Sequence, residues 1–600
     1  RHDAQGGQIG SFTRSQKKSG YEGSIKSERS AEDGAAALGM GATDTIGRIA
    51  ASIGELNGVD PEFKASMDVP KAGVLCALPA LLESGLLSST DKHFQLPKGY
   101  YRLDSIFLLL SFLALARIKT IEDLRYSSPG EWGKILGIDR IPEAKTLREK
   151  IGILSENEKP AEWSASVSSE WMQNNPETTG VLYIDGHVRV YSGHQTKLPK
   201  HYVSRQKLCL RATTDYWVNA MDGQPFFMVT KEVDPGLLKV LEEDILPILE
   251  ERVPNQPTPE ELESNPYQHR FTVIFDREGY SPETFQKLKE KRIACLSYRK
   301  YPGEDWPVEE FVEQAVRMSS GNSVEMKLAE RGTFLGNKLW VREIRKLTES
   351  GHQTSVISTD YVSDFQKLAG EMFSRWSQEN YIKYMRQHYN IDRLVEYSTE
   401  EIPDTVKVVN PEYRRFDGEM RKKTGLLTKL QAKFGALLYL DAIDTKKIEE
   451  YQVKKASLQE EIEGMSKEIV ELKAQRKLIK KNITVAELPE NERFRRLRTH
   501  SKHLIDTIKM IAYRAETMMA GILRENMKHV DEARSLLCGI YKTEADILPD
   551  KEKGTLTVRL HPLANHCSSE IIHHLCSELN STETIFPGTN LRLVYDLVSK

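Results

Sequence analysis

The chain alternates between apolar runs of helical length and shorter apolar runs typical of strands. Residues 46–165 contain "VLCALPALLESGLL" and "IFLLLSFLALA" (106–116), with Asp104-Ser105 as a predicted N-cap of the second helix. Beyond residue 180 the runs shorten and become β-branched and aromatic: "VLYIDG", "HVRVYSG", "KLCLRATTDYWVNA", "PFFMVTKEV", "FTVIFD", "IACLSYR" and "SVISTD". Helices are predicted between them at about 235–251 and 281–292. This order predicts an α/β (mixed) fold, a mixed sheet with helices packed on it.

Two longer stretches complete this middle part of the chain. The segment "VEMKLAERGTFLGNKLWVREIRKL" predicts a hairpin that turns at Gly336-Asn337, within a β-rich insertion. The stretch "FQKLAGEMFSRWSQENYIKYMRQHY" then predicts one long helix that ends near Asn390.

The C-terminal part returns to helical patterns. From Ile448 to Ile479 apolar positions recur in steps of three and four, which predicts a coiled-coil seam. A second amphipathic helix at about 493–528 is one candidate partner, as an antiparallel hairpin, and a parallel seam with a second chain is the other. The sequence leaves both open. The last segments predict a strand–helix–strand cap.

These patterns divide the chain into seven predicted parts. The first is Gly/Ser-rich and charged, the composition of a disordered tail. The parts are the tail (1–45), a helical domain that is a candidate for DNA binding (46–165), a core in two pieces (166–300 and 357–410) split by the β-rich insertion (301–356), a coiled-coil and helical region (411–535) and a small α/β cap (536–600).

The helical domain contains a pair of short predicted helices around a Gly-Ile-Asp turn, "SSPGEWGKILGIDRIPEAKTLREKI". One interpretation is a helix-turn-helix whose Lys145, Arg148 and Lys150 meet phosphates. The other is ordinary helical packing, since short helix pairs are common. The sequence does not separate them.

Composition narrows the class of protein. A net charge of −3 over 600 residues gives no global attraction to nucleic acid, so a DNA surface must be local. The six cysteines are far apart and none forms Cys-x-x-Cys, which favours a reducing cytoplasm. The longest apolar run, 106–116, is shorter than the roughly 20 residues of a spanning helix, so no membrane partner is predicted.

Three acids form the candidate catalytic group. Asp185 and Asp276 each end a predicted apolar strand, and Glu379 lies on the long helix that follows the insertion. Three ionised carboxylates side by side require a counter-charge, so their convergence predicts a divalent metal, Mg²⁺ or Mn²⁺. Glu278 and Asp360 are spare acids that replace an assigned ligand if the strand ends are misplaced.

Candidate DNA-binding cations surround these acids. Arg375, Lys383 and Arg386 share the helix face of Glu379, which suits a phosphodiester or, alternatively, a solvated face with salt bridges. Between Gly186 and Thr214 there are six basic residues and no acid before Thr214, again either a phosphate patch or a solvated face: Arg189, Lys197, Lys200, Arg205, Lys207 and Arg211.

Two other features have a functional and a packing interpretation. Trp340 lies among cations in the insertion, where it stacks on an extruded base or belongs to a strand core. Five histidines and cysteines crowd one short helix without a partner set, so packing is favoured over a metal site: His566, Cys567, His573, His574 and Cys576.

Three segments, "YIDGH", "VIFDREGYSPE" and "RWSQENYIKYMRQHY", resemble DDE transposases of prokaryotic insertion sequences. The most similar group has a Tyr-x2-Arg-x3-Glu-x6-Lys signature and a β-rich insertion before the glutamate. Arg375 and Glu379 match it, Met372 stands at the tyrosine position, and Arg386 replaces the lysine with the same charge.

This resemblance implies a ribonuclease-H-like core in which Asp185, Asp276 and Glu379 hold two metal ions. It implies DNA cleavage at the ends of a mobile element and transfer of the 3′-hydroxyl into target DNA. The implied partners are the terminal inverted repeats, target DNA and a second copy of the chain, in a prokaryotic cytoplasm and at the nucleoid when bound. The alternatives are a ribonuclease-H-like nuclease without strand transfer and an inactive, domesticated DNA-binding protein.

Overall fold

The structure is a computed structural model that describes residues 42–193, 196–204, 206–336, 339–393, 395, 398–438, 448–563 and 566–598. Most of the predicted N-terminal tail and the candidate DNA contact Arg205 lie outside the described residues. Among the described helices, none combines the length and apolar character that crossing a bilayer requires.

The strands of the described residues run from the N-terminal segment to the C-terminal cap. They are β1 (Ser66–Val69), β2 (Val181–Val190), β3 (Lys200–Val203), β4 (Leu208–Ala220), β5 (Pro225–Lys231), β6 (Thr272–Phe275), β7 (Ala294–Tyr298), β8 (Val312–Arg317), β9 (Ser323–Leu335), β10 (Leu339–Leu347), β11 (Gln353–Ser358), β12 (Thr399–Glu400), β13 (Lys407–Val409), β14 (Asn482–Thr484), β15 (Arg496–Leu497), β16 (Ala545–Asp550), β17 (Thr555–Leu560) and β18 (Arg592–Leu597).

The α-helices flank and cover these strands. They are α1 (Thr45–Ser52), α2 (Leu78–Glu83), α3 (Thr90–His93), α4 (Leu103–Leu115), α5 (Pro129–Leu136), α6 (Ala144–Leu154), α7 (Lys159–Asn174), α8 (Leu237–Val240), α9 (Leu246–Arg252), α10 (Pro259–Ser264), α11 (Pro282–Glu290), α12 (Phe365–Phe373), α13 (Trp376–Tyr384), α14 (Pro411–Leu438), α15 (Ile448–Leu478), α16 (His500–Arg524), α17 (Ala533–Lys542) and α18 (His566–Ser581).

The central sheet has the strand order β5-β4-β2-β6-β7 at its core. Strands β5, β4 and β2 pair antiparallel, whereas β2, β6 and β7 pair parallel. Three antiparallel strands followed by two parallel ones are the arrangement of a ribonuclease-H-like core. The predicted mixed α/β class and its ribonuclease-H-like sheet are thereby confirmed.

Strand β2 is longer than the sequence predicts. The pair Asp185-Gly186 does not stop it, because β2 continues to Val190 in register with β4. Strand β6 ends at Phe275, so only the first part of β2 has a partner on that side. The prediction that Asp185 ends its strand is therefore wrong, but Asp185 lies at the level where the neighbouring strand ends.

The insertion extends the central sheet. Strand β11 pairs antiparallel with β7, and β10, β9 and β8 follow it in order. The hairpin between β9 and β10 turns at Gly336, whose φ is +58°, while Asn337 lies outside the described residues. Backbone hydrogen bonds between neighbouring strands therefore connect the insertion directly to the central sheet.

The predicted long helix is broken into α12 and α13, and a π-helical segment, Met385–Tyr389, continues α13. Ser374, at the break, is fully buried, and its hydroxyl oxygen accepts a hydrogen bond from the Ser319 backbone N–H at 2.9 Å. The loop between β8 and β9 is thus attached where the helix changes direction. Asn390 ends the segment in the left-handed conformation.

The coiled-coil seam of α15 has a different partner from the two that the sequence offered. Helix α14 packs along α15 as an antiparallel hairpin, with ion pairs Lys423–Glu468 and Arg476–Asp417 between them. Helix α16, the predicted partner, instead packs against α2, α4, α7 and α17. Its buried apolar residues, including Ile508 and Met519, belong to the main core, which explains why it is unavailable to the seam.

The N-terminal helices and the C-terminal cap share one hydrophobic core. Strand β1 pairs with β16, and β17 and β18 form the predicted strand–helix–strand unit with α18 between them. Helices α5 and α6 flank the predicted turn, where Gly137 adopts a positive φ. Both helices bury apolar residues in this core, and Arg148 pairs with Glu122 at 3.1 Å.

A buried carboxylate, Glu516 of α16, joins this helical core to the helix that carries Glu379. Arg117 donates to its two carboxylate oxygens at 2.9 and 2.7 Å, and the hydroxyls of Tyr384 and Tyr389 also donate to it. Arg534 lies 3.4 Å away. One desolvated acid is thus balanced by two guanidinium groups and two phenols.

Replacing Glu516 by Gln is expected to lower the free energy of unfolding by about 3 kcal/mol, because Arg117 and Arg534 then remain buried without a counter-charge. Denaturant unfolding measures the change. The matched control is Glu525→Gln, which removes an exposed carboxylate just beyond the end of α16. Equal effects of the two substitutions would contradict the role given to Glu516.

Candidate active site

The parallel register of β2 and β6 places Asp185 beside Asp276. The pairs Val181↔Thr272 and Tyr183↔Ile274 fix this register. Asp185 follows Val181 by four residues and Asp276 follows Thr272 by four, so the same register, continued two residues past the last pair, sets the two aspartates side by side. Adjacent strands lie about 4.8 Å apart, which makes the two carboxylates neighbours at one edge of the sheet.

Local hydrogen bonds orient Asp276. Its Oδ1 accepts from the Glu278 backbone N–H at 2.8 Å, which caps the short turn Arg277–Gly279. The Ser297 hydroxyl, on β7, donates to the Asp276 carbonyl oxygen at 3.1 Å. The carboxylate of Asp276 is thus held by the turn that follows β6.

Helix α13 brings Glu379 to the same edge through Gln378, which is fully buried. Its Nε2 donates to the carbonyl oxygens of Tyr183 at 3.2 Å and Trp217 at 3.1 Å, and to Asn219 Oδ1 at 2.9 Å. These acceptors lie on β2 and β4, so the helix is fixed across the strand that carries Asp185.

A close backbone approach supports the start of α13. The Ser377 hydroxyl donates to the Met221 carbonyl oxygen at 3.1 Å. Gly223, in the turn between β4 and β5, has a φ of +89°, and a Cβ there would lie 2.9 Å from the Ser377 carbonyl oxygen. Glycine is required at this position on both grounds.

Arg375 lies between two of the three acids. Its Nη2 donates to Glu379 Oε1 at 2.6 Å, and its Nη1 lies 3.5 Å from Asp185 Oδ2. The side chain of Arg375 is 12% exposed, that of Asp185 25% and that of Glu379 57%. The guanidinium group is thus an internal counter-charge that these acids share.

Two acids at this edge, Asp185 and Glu278, have raised pKa values. Burial raises the pKa of Asp185 to about 6, the charges of Asp276 and Glu379 add to the rise, and Arg375 opposes it. The pKa of Glu278 is raised to about 7 by partial desolvation and by the charges of Asp276, Asp234 and Asp185. A cation bound among these carboxylates would favour their ionised form.

The donor set fits a hard divalent cation, since it consists of carboxylate oxygens that repel one another. The three predicted ligands are nevertheless looser than a closed metal site. Among the described residues, the set of three ligand atoms within 4.8 Å of one another is Asp68, Asp546 and His561, in the C-terminal cap. There Arg559 already donates to Asp546 Oδ2 at 2.8 Å.

The two spare acids have different positions. Glu278 belongs to the acidic group beside Asp276. Asp360 lies past the end of β11, at the opposite edge of the sheet, and its Oδ1 accepts from the backbone N–H groups of Val362 and Ser363 at 2.8 and 3.0 Å. Its pKa is lowered by these hydrogen bonds, against the effect of burial. Asp360 is therefore a turn residue.

Lys383 on α13 and Arg386 in the π-helical segment after it, both predicted to bind DNA, differ in whether an acid already pairs with them. Lys383 is exposed and, within the described part of the chain, has no ion-pair partner. Arg386 donates to Asp392 Oδ2 at 2.6 Å, and the same carboxylate pairs with His187, two residues after Asp185 on β2. The charge of Arg386 is thus largely compensated.

The basic stretch after β2 is also divided. Lys197, Lys200 and Lys207 are exposed. Arg189 is 2% exposed and pairs with buried Asp215, with Nη2 donating to Oδ1 at 2.8 Å, so it is part of the interior. Arg205 cannot be placed, because it lies outside the described residues.

Trp340 lies at the wrong edge of the sheet for stacking beside the acids. Register pairs connect Arg342 to Ser358 and Ser358 to Leu296, toward the start of β7, whereas Asp276 lies level with its end. The indole is 42% exposed, and its ring centroid is 5.4 Å from that of Tyr361. The predicted stacking near the cleavage point is therefore not supported.

The histidine and cysteine group lies on α18, as predicted, and Cys576 is buried in the core. Nothing is described of the side chains of His566 and Cys567.

Gln378 and Asp234 are site residues that sequence reasoning missed. An uncharged glutamine in the middle of a polar helix gives no signal, although its position next to Glu379 suggests a role once the helix is docked. Asp234 follows a strand, as Asp276 does, and that shared pattern was the available signal. Its Oδ1 accepts from the Tyr216 hydroxyl at 2.7 Å.

The chain matches a known protein family in sequence. A family model described as "Transposase protein" matches residues 39–599. No curated protein matches the chain. A solved structure described as "piggyBac transposase synaptic complex with hairpin DNA" has 10% identity and a TM-score of 0.25; the match covers 53% of this chain and 66% of that one. A likeness this weak adds nothing to the assignment.

Replacing Gln378 by Leu is expected to lower the free energy of unfolding by about 2–3 kcal/mol, because three buried acceptors lose their donor. Denaturant unfolding measures it, with Asn380→Ala, an exposed position on the same helix, as the matched control. A loss no larger than that of the control would show that these hydrogen bonds do not fix α13.

Glu371, on α12, gives a pH dependence. Burial raises its pKa from 4.5 to about 7, with Asp360 adding to the rise and Lys367 opposing it. Between pH 4.5 and 7 the folded state therefore holds a proton that the unfolded state has lost, so this group makes the protein less stable as pH rises through that window. Glu371→Gln should leave stability unchanged below pH 4.5 and increase it by about 2 kcal/mol above pH 7. Thermal or denaturant unfolding at both pH values tests this, with exposed Glu349→Gln as control.

Proposed function

The chain belongs to the transposase family whose model matches residues 39–599, and from this premise we propose that it is a DDE transposase. The proposed reaction is metal-dependent cleavage of DNA at the ends of a mobile element, followed by transfer of the freed 3′-hydroxyl into target DNA. Asp185, Asp276 and Glu379 are the proposed catalytic residues.

One observation supports this proposal: the parallel register of β2 and β6 leads Asp185 and Asp276 to the same edge of the sheet, and Gln378 fixes the helix of Glu379 across the same strand. The acids come from three distant parts of the chain. A purely structural use of three mutually repelling carboxylates would be unfavourable, and the charges of Asp276 and Glu379 add to the raised pKa of Asp185.

The three acids would hold two Mg²⁺ or Mn²⁺ ions, which when bound activate the attacking hydroxyl and stabilise the leaving oxygen. The protein's own groups position the DNA. Arg375 stays paired with Glu379 and lies beside Asp185, where its guanidinium group keeps a positive charge next to the proposed metal ligands. Lys383 lies on the same face, one helical turn beyond Glu379.

The proposed partners are the terminal inverted repeats of the element, the target DNA and a second copy of the chain, since two ends must be joined. The prokaryotic origin, the cytoplasmic location and the association with the nucleoid stay predictions.

Replacing Asp185 by Asn tests the catalytic assignment. We expect cleavage and strand transfer to fall by more than about 100-fold, since loss of even an outer partner of a metal site reaches that range. The substrates are labelled duplexes carrying the inverted repeats that flank the gene, uncut for cleavage and pre-cut for strand transfer. DNA affinity should stay within about twofold.

The matched control is Asp305→Asn, which removes an exposed carboxylate from the insertion. Cleavage retained by Asp185→Asn would remove Asp185 from the active site. Cleavage by the unaltered protein without joining of pre-cut ends would favour a ribonuclease-H-like nuclease, and neither activity would favour an inactive DNA-binding protein.

A further inference from the structure

A basic groove opens beside the acidic edge of the sheet. It is a cleft of about 730 Å³ lined by eight cationic and two acidic side chains. One wall comes from the catalytic sheet and carries Lys197, Lys200 and Arg211, and the facing wall carries Lys407, Arg414 and Lys481. In a chain of net charge −3, this is a strong local concentration of positive charge.

The facing wall is the base of the α14–α15 hairpin. Strands β13 and β14 pair there, and the Asn410 N–H donates to the Lys481 carbonyl oxygen at 2.9 Å. Residues from three segments bury a small apolar cluster behind it, in which Val233 of the catalytic part packs with Val408 and Val485. The Arg495 N–H also donates to the Lys197 carbonyl oxygen at 3.0 Å. The two walls are therefore held in a fixed relation.

Half of the cations that line the groove have no counter-charge within the described residues. Lys200, Lys407, Arg414 and Lys481 are exposed, and none of them has an ion-pair partner among the residues that the structure describes. Clustered cations without counter-charges repel one another, and a polyanion relieves that repulsion. The spacing along a groove suits a chain of phosphates better than a single anion.

The groove begins at the proposed active site. Gly186, next to Asp185, pairs with Tyr216 on β4, whose hydroxyl donates to Asp234, and Asp234 lines the groove. Strands β2 and β4 continue past the end of β6. Beyond that point Lys200 on β3 and Arg211 on β4 are register partners. A DNA strand at the acids would thus pass directly into the groove.

We propose that this groove binds the phosphate backbone of the DNA strand leaving the active site, so that the base of the helical hairpin forms one side of a DNA clamp. The inference rests on the proposed function for the direction of the strand. It assigns DNA contacts to Lys407, Arg414 and Lys481, which lie far in sequence from the catalytic acids.

The test compares two triple variants that remove equal charge. The groove variant is Lys407→Gln, Arg414→Gln and Lys481→Gln. The control is Lys422→Gln, Lys429→Gln and Lys473→Gln, at exposed positions on the shaft of the hairpin. Affinity for a fluorescein-labelled duplex and for the corresponding single strand is measured by anisotropy over a series of salt concentrations.

We expect the groove variant to bind DNA more weakly by about 10-fold or more, and the slope of log affinity against log salt to become shallower by about 2 to 3, one phosphate contact for each lost cation. The control variant should keep the slope of the unaltered protein. Equal losses in both variants would show that only total charge matters and would overturn the groove. An unchanged slope in the groove variant would overturn it as well.

The anisotropy assay measures DNA binding and needs no catalysis. It therefore tests the groove independently of the proposed active site. Loss of binding in the groove variant, together with cleavage retained by Asp185→Asn, would leave the groove assigned and the catalytic proposal refuted. Thermal unfolding of both triple variants checks that the hairpin base stays folded, because the substituted side chains are exposed.

Discussion

The parallel register between β2 and β6 is the constraint on which the rest of the site depends. A slip of one residue would turn either aspartate to the other face of the sheet, since side chains alternate along a strand. The register is secured from both sides, because β4 pairs with the whole of β2 and β7 pairs with β6. Apolar residues of β2 and β6 are buried on both faces, which makes any slip costly. Two acids distant in sequence are thereby neighbours through backbone pairing alone.

The third acid depends on tertiary packing. Gln378 ties α13 to β2 and β4, and Glu516 ties the far end of the same helical segment to the helical core. Both links are buried polar contacts, whose strength comes from the absence of competing water. Glu379 itself is exposed and paired with Arg375, so its position follows from its neighbours and its own contacts add little. The catalytic helix is in effect held at both ends.

The sequence predicted the strands and helices that follow from the periodic pattern of apolar residues. It did not predict the contacts that depend on packing between distant parts of the chain. Short β-branched runs located β2, β6 and β7, and the two aspartates were found from them, although β2 continues past Asp185 to Val190. The register of β2 against β6, which sets Asp185 beside Asp276, is decided by strand pairing in the folded chain and has no local sequence signal. The edge at which Trp340 lies depends on β10 running antiparallel to β11, and the charge of Arg386 depends on Asp392, six residues later; no pattern in the sequence shows either contact. Helix α16 has an amphipathic pattern that fits a hairpin as well as a core, so its burial could not be read from periodicity.

The distribution of charge explains how a chain of net charge −3 can present a surface to DNA. Acids are concentrated where cations would be bound, and Arg375 partly balances them from within. Bases are concentrated in the neighbouring groove, beyond the end of β6. Seen from beyond the Debye length, about 10 Å at moderate salt, the acidic group and the basic groove largely cancel. The net charge of the chain therefore describes neither surface. If DNA lies in the groove as proposed, its phosphate backbone meets the acids only at its end, where a bound divalent cation would separate the two negative charges. Metal and DNA binding are therefore expected to favour one another, because each reduces the repulsion that the other must overcome.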